Sequence, residues 1–131
     1  MLFKTDLLIP IGKTKTAPAT IEMKLCMGTI TRSFTQFPAG CAGLVWVQIW
    51  LSGHQLIPWE RGQWLRGDDH IIWDYSRYPV GGEPRLLVVK GYNEDTANPH
   101  TIQVGIEVSA PVALESLPPA EVLLQELGVL W

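Results

Sequence analysis

Residues 43–51, with the sequence GLVWVQIWL, decide the fold class of this chain. Trp46 and Trp50 share one face of an extended strand at this spacing, and valine and isoleucine side chains occupy the other face. A strand that is apolar on both faces lies in the middle of a fold or is covered on its outer side. Residues 43–92 hold five of the six tryptophans and show no helical periodicity, so the chain is predicted to be all-β.

Further alternating stretches lie on both sides of this strand at a spacing of roughly ten residues, separated by turns rich in glycine and proline. They comprise residues 21–27, 29–37, 70–78, 85–92 and 100–109. Repeated strands without intervening helices are typical of an antiparallel β-sandwich, and the pattern favours a jelly-roll-like one. An immunoglobulin domain would place a tryptophan between two cysteines, whereas Cys26 and Cys41 both precede the tryptophans.

One of these strands is predicted to change its alternation at a glycine. Gly28 shifts the pattern, which indicates a β-bulge or a bend between two sheets. Beyond it, Ile30 and Phe34 are expected to continue the apolar face. Ser33, Thr35 and the neighbouring threonines then line the opposite face, as a polar ladder suited to solvent or to a partner's edge.

The single predicted domain has three sections: an N-terminal strand or arm with a loop (residues 1–20), the sandwich (21–110) and a C-terminal docking helix or arm (111–131). In the last section, Ser116 suits a helix N-cap and Gly128 suits the stop. The apolar stripe between them consists of Ala120, Leu123, Leu124 and Leu127. A helix this short is marginal alone, so it is expected to dock on its own sandwich or on a neighbour's.

The composition indicates apolar surface that is meant for a partner. Hydrophobic residues make up 47% of the 131 residues and charged residues 18%, against about a quarter charged in an average domain. A domain of this size cannot bury all of its apolar side chains, so a homo-oligomer or a larger protein assembly is expected. The net charge is −3 and the lysines and arginines are scattered, which argues against nucleic acid and against a polybasic membrane anchor as partners.

The N-terminal sequence and the cysteines bear on localisation. Lys4 and Asp6 interrupt the first apolar residues, so no signal peptide is predicted, and no apolar stretch approaches transmembrane length. The expected localisation is therefore the cytoplasm, or a virion into which the protein is packaged. Cys26 and Cys41 are expected to be free, partly buried thiols, although one bridge between them is possible.

No catalytic, cofactor or metal motif is apparent, so the chain is expected not to be an enzyme and to need no cofactor. Turn residues at one end of the sandwich could still gather histidines and carboxylates, and calcium or a catalytic divalent metal are the alternatives there. These residues are Asp68, Asp69, His70, Glu94, Asp95 and His100. A cupin-like enzyme would need a close His-x-His set followed by a glutamate, and the sequence lacks that set.

Aromatic and leucine side chains are the candidate binding residues. They are Trp46, Trp50, Trp59, Trp64, Leu123, Leu124, Leu127 and Trp131. The four internal tryptophans could pack in the core, anchor a protein interface or stack on sugar rings. Trp59 and Trp64, on the long connection after the central strand, would suit a carbohydrate-binding module.

The chain resembles small jelly-roll structural proteins of virus and phage particles, of the decoration, tail or spike type. The resemblance rests on the strand-dense residues 21–109, on the turn Phe37-Pro38-Ala39-Gly40 before an apolar strand, and on short terminal arms at 2–10 and 117–131. It implies a symmetric homo-oligomer held by apolar strand faces and exchanged arms. The expected function is therefore a non-enzymatic assembly protein, with a carbohydrate-binding module and a small cupin-like metal enzyme as alternatives.

Overall fold

The computed structural model of the protein describes residues 1–82 and 84–109, which form ten β-strands. The strands are β1 (Leu2–Ile9), β2 (Ala19–Lys24), β3 (Gly28–Phe37), β4 (Val45–Leu51), β5 (His54–Ile57), β6 (Leu65–Arg66), β7 (His70–Asp74), β8 (Tyr78–Val80), β9 (Leu86–Asn93) and β10 (His100–Ser109). Among these residues there is no helix with the length and apolar character that crossing a lipid bilayer requires. The helix predicted within residues 111–131 lies outside the described part of the chain.

The strands form two five-stranded antiparallel sheets that pack face to face. The first sheet has the order β1-β10-β3-β7, with β8 also paired to β3, and the second has the order β2-β9-β4-β5, with β6 paired to β4. The pairing is nested, since β1 pairs with β10, β2 with β9, β3 with β7 and β8, and β4 with β5. A long hairpin rolled into two sheets in this way is a jelly roll, so the predicted antiparallel, jelly-roll-like sandwich is confirmed.

The core lies between the sheets and consists of the inward side chains of the central strands. In the first sheet β10 contributes Ile102, Val104, Ile106 and Val108, all with no solvent exposure. In the second sheet, the valines and Ile49 of β4 and alternate residues of β9 face them. Alternation of period two therefore places one apolar side chain in the core every second residue, as the sequence pattern of these strands requires.

The prediction for β3 is correct for Ile30, which is fully buried, but wrong about which side chains face the core beyond it. Ser33 and Thr35 are buried, with 3% and 2% of their surface exposed, whereas Phe34 lies on the outer face beside Trp73. The register against β10 shifts at this point, where Arg32 pairs with Glu107 but Ile30 pairs with Val108. The residue between them is an extra one, and a one-residue bulge reverses the faces of every residue beyond it.

Both cysteines are free, as expected. Cys26 is half-buried, and Cys41 is fully buried beside the turn that follows β3. The pKa of the Cys41 thiol is raised to about 11, chiefly by burial and to a lesser extent by the nearby charges of Asp68 and Asp95. This thiol therefore remains protonated near neutral pH and is not activated as a nucleophile.

Candidate binding surfaces

A large open cleft lies where the edge strand β5 of the second sheet approaches β8 of the first sheet. Its volume is about 1370 Å³. The apolar part of its lining includes Trp50, Leu56, Trp59, Trp64, Tyr78 and Val80. Three of the four internal tryptophans predicted as binding candidates therefore share one site, here called the cleft.

The side chain of Gln55 shapes the loop that carries two of these tryptophans. Its amide nitrogen donates to the carbonyl oxygens of Pro58 at 2.7 Å and Glu60 at 2.8 Å. Its amide oxygen accepts from the backbone nitrogen of Gly62 at 3.0 Å. The half-buried Gln55 side chain on β5 thus supplies hydrogen-bond partners for backbone groups of this loop. These bonds fix the conformation of the loop between Trp59 and Trp64.

Gln48 on β4 connects the same loop to the outer face of the second sheet. Its amide nitrogen donates to the carbonyl oxygen of Gln63 at 2.8 Å, and its amide oxygen accepts from the indole nitrogen of Trp50 at 3.0 Å. The ammonium group of Lys90 lies 4.0 Å from the centre of the Trp50 ring, close enough for a cation–π contact. Gln48 and Lys90 therefore fix the orientation of the Trp50 ring in the cleft wall.

Trp59 is the most accessible aromatic side chain of the cleft. It is 71% exposed and stacks on Tyr78, with 6.0 Å between the ring centres. The Tyr78 hydroxyl donates to Asp74 at 3.0 Å, and burial is the main cause that raises the pKa of this phenol. The stacked pair joins a loop of one sheet to a strand of the other and forms one wall of the cleft.

Trp46, the fourth internal candidate, lies outside the cleft on the outer face of the second sheet. It stacks on Tyr92 with 5.8 Å between ring centres, and Trp64 meets the same tyrosine edge-on at 4.8 Å. The guanidinium of Arg66 lies 4.8 Å above the Trp46 ring. Trp46 therefore packs within the surface of its own sheet and supports the position of Trp64. The remaining candidates, Leu123, Leu124, Leu127 and Trp131, lie outside the described residues.

A second aromatic surface, which the sequence did not single out, covers the outer face of the first sheet. It consists of Phe34, Ile71, Trp73 and Tyr75 and is here called the aromatic face. The rings of Phe34 and Trp73 are 5.3 Å apart, and those of Trp73 and Tyr75 stack at 6.0 Å. The last three members are 40%, 46% and 67% exposed. Three of its members follow the alternation of β7, but that alternation does not reveal which face points outward.

A glycine on the neighbouring strand allows the aromatic face to lie flat. Gly105 pairs with Phe34 across the β10–β3 ladder. A Cβ atom at position 105 would come within 2.1 Å of the Phe34 ring. The ring therefore rests directly on the backbone of β10, in a space that only glycine leaves free.

The predicted gathering of histidines and carboxylates is only partly present. His100 contacts Asp95 at 2.8 Å, and the carboxylate of Asp68 accepts from the backbone nitrogen of Gly40 at 3.0 Å. The backbone N–H of Ala97 is the largest cause that lowers the pKa of Asp95, and the bond with His100 adds to it. Within residues 1–82 and 84–109, no three histidine, cysteine or acidic side chains are grouped so as to hold a metal ion. The contacts that are present shape the loops at this end of the sandwich.

Comparison with known proteins leaves the description at the level of the fold. No protein-family model matches the chain, and no curated protein sequence matches it. The class that the fold and its surfaces define is a small antiparallel jelly-roll sandwich with a flat aromatic face on one sheet and an aromatic cleft beside the other.

Proposed function

We propose that this protein is a non-enzymatic structural protein that assembles into a homo-oligomer through its aromatic face. The observation that carries the proposal is the exposure of Ile71, Trp73 and Tyr75 side by side on the edge of the first sheet. Contiguous apolar surface of this kind marks interaction sites, and tryptophan and tyrosine are enriched at the centres of protein interfaces. Burying the rings against a second copy would remove them from water without ordering a flexible segment.

The rim of the aromatic face supports pairing between identical copies. Arg32 and Glu107 form an ion pair at 2.9 Å on the same outer surface, so both signs of charge border the rings. A two-fold interface places each patch against itself, and adjacent opposite charges allow such a pairing without repulsion. The jelly-roll topology supports the finer proposal that the assembly belongs to a virus or phage particle, as in the proteins that the sequence resembles.

The mass of the protein in solution tests this function. Light scattering of the full chain is expected to give a defined oligomer, and the double variant Trp73→Ser/Tyr75→Ser is expected to give a lower mass with an unchanged circular dichroism spectrum. Trp59→Ser is the matched control, because it removes an exposed tryptophan that lies in the cleft and not on the aromatic face. A monomeric wild type, or a double variant that keeps the wild-type mass, would remove the aromatic face from the proposal.

Glycan binding at the cleft is the second candidate, because Trp50, Trp59 and Trp64 converge there with polar side chains around them. A screen of the full chain against saccharides would detect it, and Trp59→Ala or Trp64→Ala would then abolish binding without unfolding the protein. Binding that survives both substitutions would exclude these two residues from the site. This candidate requires that the cleft be open to solvent.

A further inference from the structure

We infer that residues 110–131 of the same chain occupy the cleft. The first ground is the position at which this segment begins. Ser109, at the end of β10, pairs with Thr29 on β3, and Thr29 pairs with Pro79 on β8. Pro79 lines the cleft. Neighbouring strands are about 4.8 Å apart, so the segment starts about 10 Å from the cleft wall, a distance that three or four extended residues span.

The second ground is the match of apolar surfaces. The cleft presents Trp50, Leu56 and Val80 from three different strands and Trp59 from the loop after β5. The segment carries an apolar stripe at helical spacing, and a helix as short as the predicted one needs such a surface to be stable. The stripe consists of Ala120, Leu123, Leu124 and Leu127. Docking the stripe would cover the exposed ring of Trp59 and would supply the contact that the segment lacks alone.

The third ground is charge. The segment contains Glu115, Glu121 and Glu126 and no lysine, arginine or histidine. The cleft carries Lys15 and Arg61, and its lining among the described residues includes no aspartate or glutamate. An acidic segment therefore meets a basic rim around an apolar floor, which favours this occupant over a basic partner.

Hydrogen exchange of the full chain, followed by mass spectrometry of peptides within residues 110–131, tests the inference. We expect slowed exchange around the Leu123–Leu127 stripe in the wild type. Arg61→Glu should speed this exchange roughly fivefold, because it turns an attraction at a partly exposed site into a repulsion. Lys4→Glu is the matched control, since it reverses the charge of an exposed lysine on β1 that is not part of the cleft lining.

A charge exchange makes the test specific. Replacing Glu115, Glu121 and Glu126 by lysine should speed exchange in the wild-type background and should restore protection in the Arg61→Glu background. The measurements belong in the Trp73→Ser/Tyr75→Ser protein, so that the result does not depend on assembly through the aromatic face. The inference would be overturned if residues 110–131 exchanged at the rate of an unstructured peptide, or if Arg61→Glu left their protection unchanged. The cleft would then be open for a saccharide. Protection that falls on dilution would assign the segment to a neighbouring copy and contradict the same-chain arrangement.

Discussion

The aromatic face and the cleft both expose tryptophan, but they differ in what holds their rings in place. On the aromatic face, Phe34 and Trp73 project from paired strands, directly opposite one another in the β3–β7 ladder. In the cleft, Trp59 and Trp64 project from a loop whose conformation depends on the amide of Gln55. A strand-borne surface is fixed by the sheet itself, whereas the loop-borne site depends on a few polar contacts. The first suits a flat partner such as another copy, and the second suits a narrow occupant.

The two surfaces also differ in charge. The rim of the aromatic face contains both members of an ion pair, Arg32 and Glu107. The rim of the cleft contains Lys15 and Arg61. A patch that carries both signs can pair with its own copy, whereas a patch with an excess of one sign selects a partner of the other sign. The difference in charge therefore supports self-assembly, as proposed, at the aromatic face and capture of an acidic segment, as inferred, at the cleft.

The largest effect is expected from breaking the loop that forms the cleft. Gln55→Leu removes the donor for the Pro58 and Glu60 carbonyl oxygens and the acceptor for the Gly62 amide. We expect a loss of about 2 kcal/mol in the free energy of unfolding in urea, because several backbone groups lose their partner. The oligomer mass should not change, since the aromatic face lies on the other sheet.

Gln63→Leu is the control for this substitution. The Gln63 side chain is exposed, and it is the carbonyl oxygen of this residue that accepts from Gln48, so the side-chain change should leave stability nearly unaltered. If Gln63→Leu destabilised the protein as much as Gln55→Leu, the added leucine would be the cause, and the role assigned to the Gln55 amide would be wrong.

The sequence predicts the sandwich well because its evidence is local. The alternation in β10 is visible residue by residue, and this strand buries the face that the alternation indicates, whereas β4 is apolar on both faces and lies inside its sheet, as that pattern predicts. The cleft could not be predicted, because it depends on the nested pairing of strands that are distant in the chain. The aromatic face was missed for a related reason: one extra residue in β3 turns Phe34 outward towards Trp73, and threonine-rich sequences do not reveal where such a bulge lies.

A smaller effect, confined to the aromatic face, is expected from Gly105→Ala. The new methyl group would overlap the Phe34 ring, which can swing outward because it lies at the surface. We expect a loss of about 1 kcal/mol in unfolding free energy together with a lower oligomer mass by light scattering. Gly81→Ala is the control, because a Cβ atom at position 81 meets nothing within 4 Å. An unchanged mass in Gly105→Ala would show that assembly does not require the flat arrangement of the rings.

The smallest effect is expected from the charged rim of the aromatic face. The Thr31 hydroxyl donates to the Glu107 carboxylate at 2.8 Å, and this bond, followed by that from Arg32, lowers the pKa of Glu107 below its usual 4.5. A carboxyl group whose pKa is lowered in the folded state stabilises the protein at pH values above its usual pKa, and this contribution is lost as the pH falls below 4.5 through the folded-state pKa.

The urea midpoint of Glu107→Gln should therefore lie slightly below that of the wild type at pH 7, and the two should converge as the pH falls towards 3. Because the pair is largely exposed, the difference at pH 7 should also shrink in high salt. If the difference in urea midpoint between Glu107→Gln and the wild type persisted at acid pH, Glu107 would stabilise the bulge through packing. The rim would then contribute shape, and not charge, to the aromatic face.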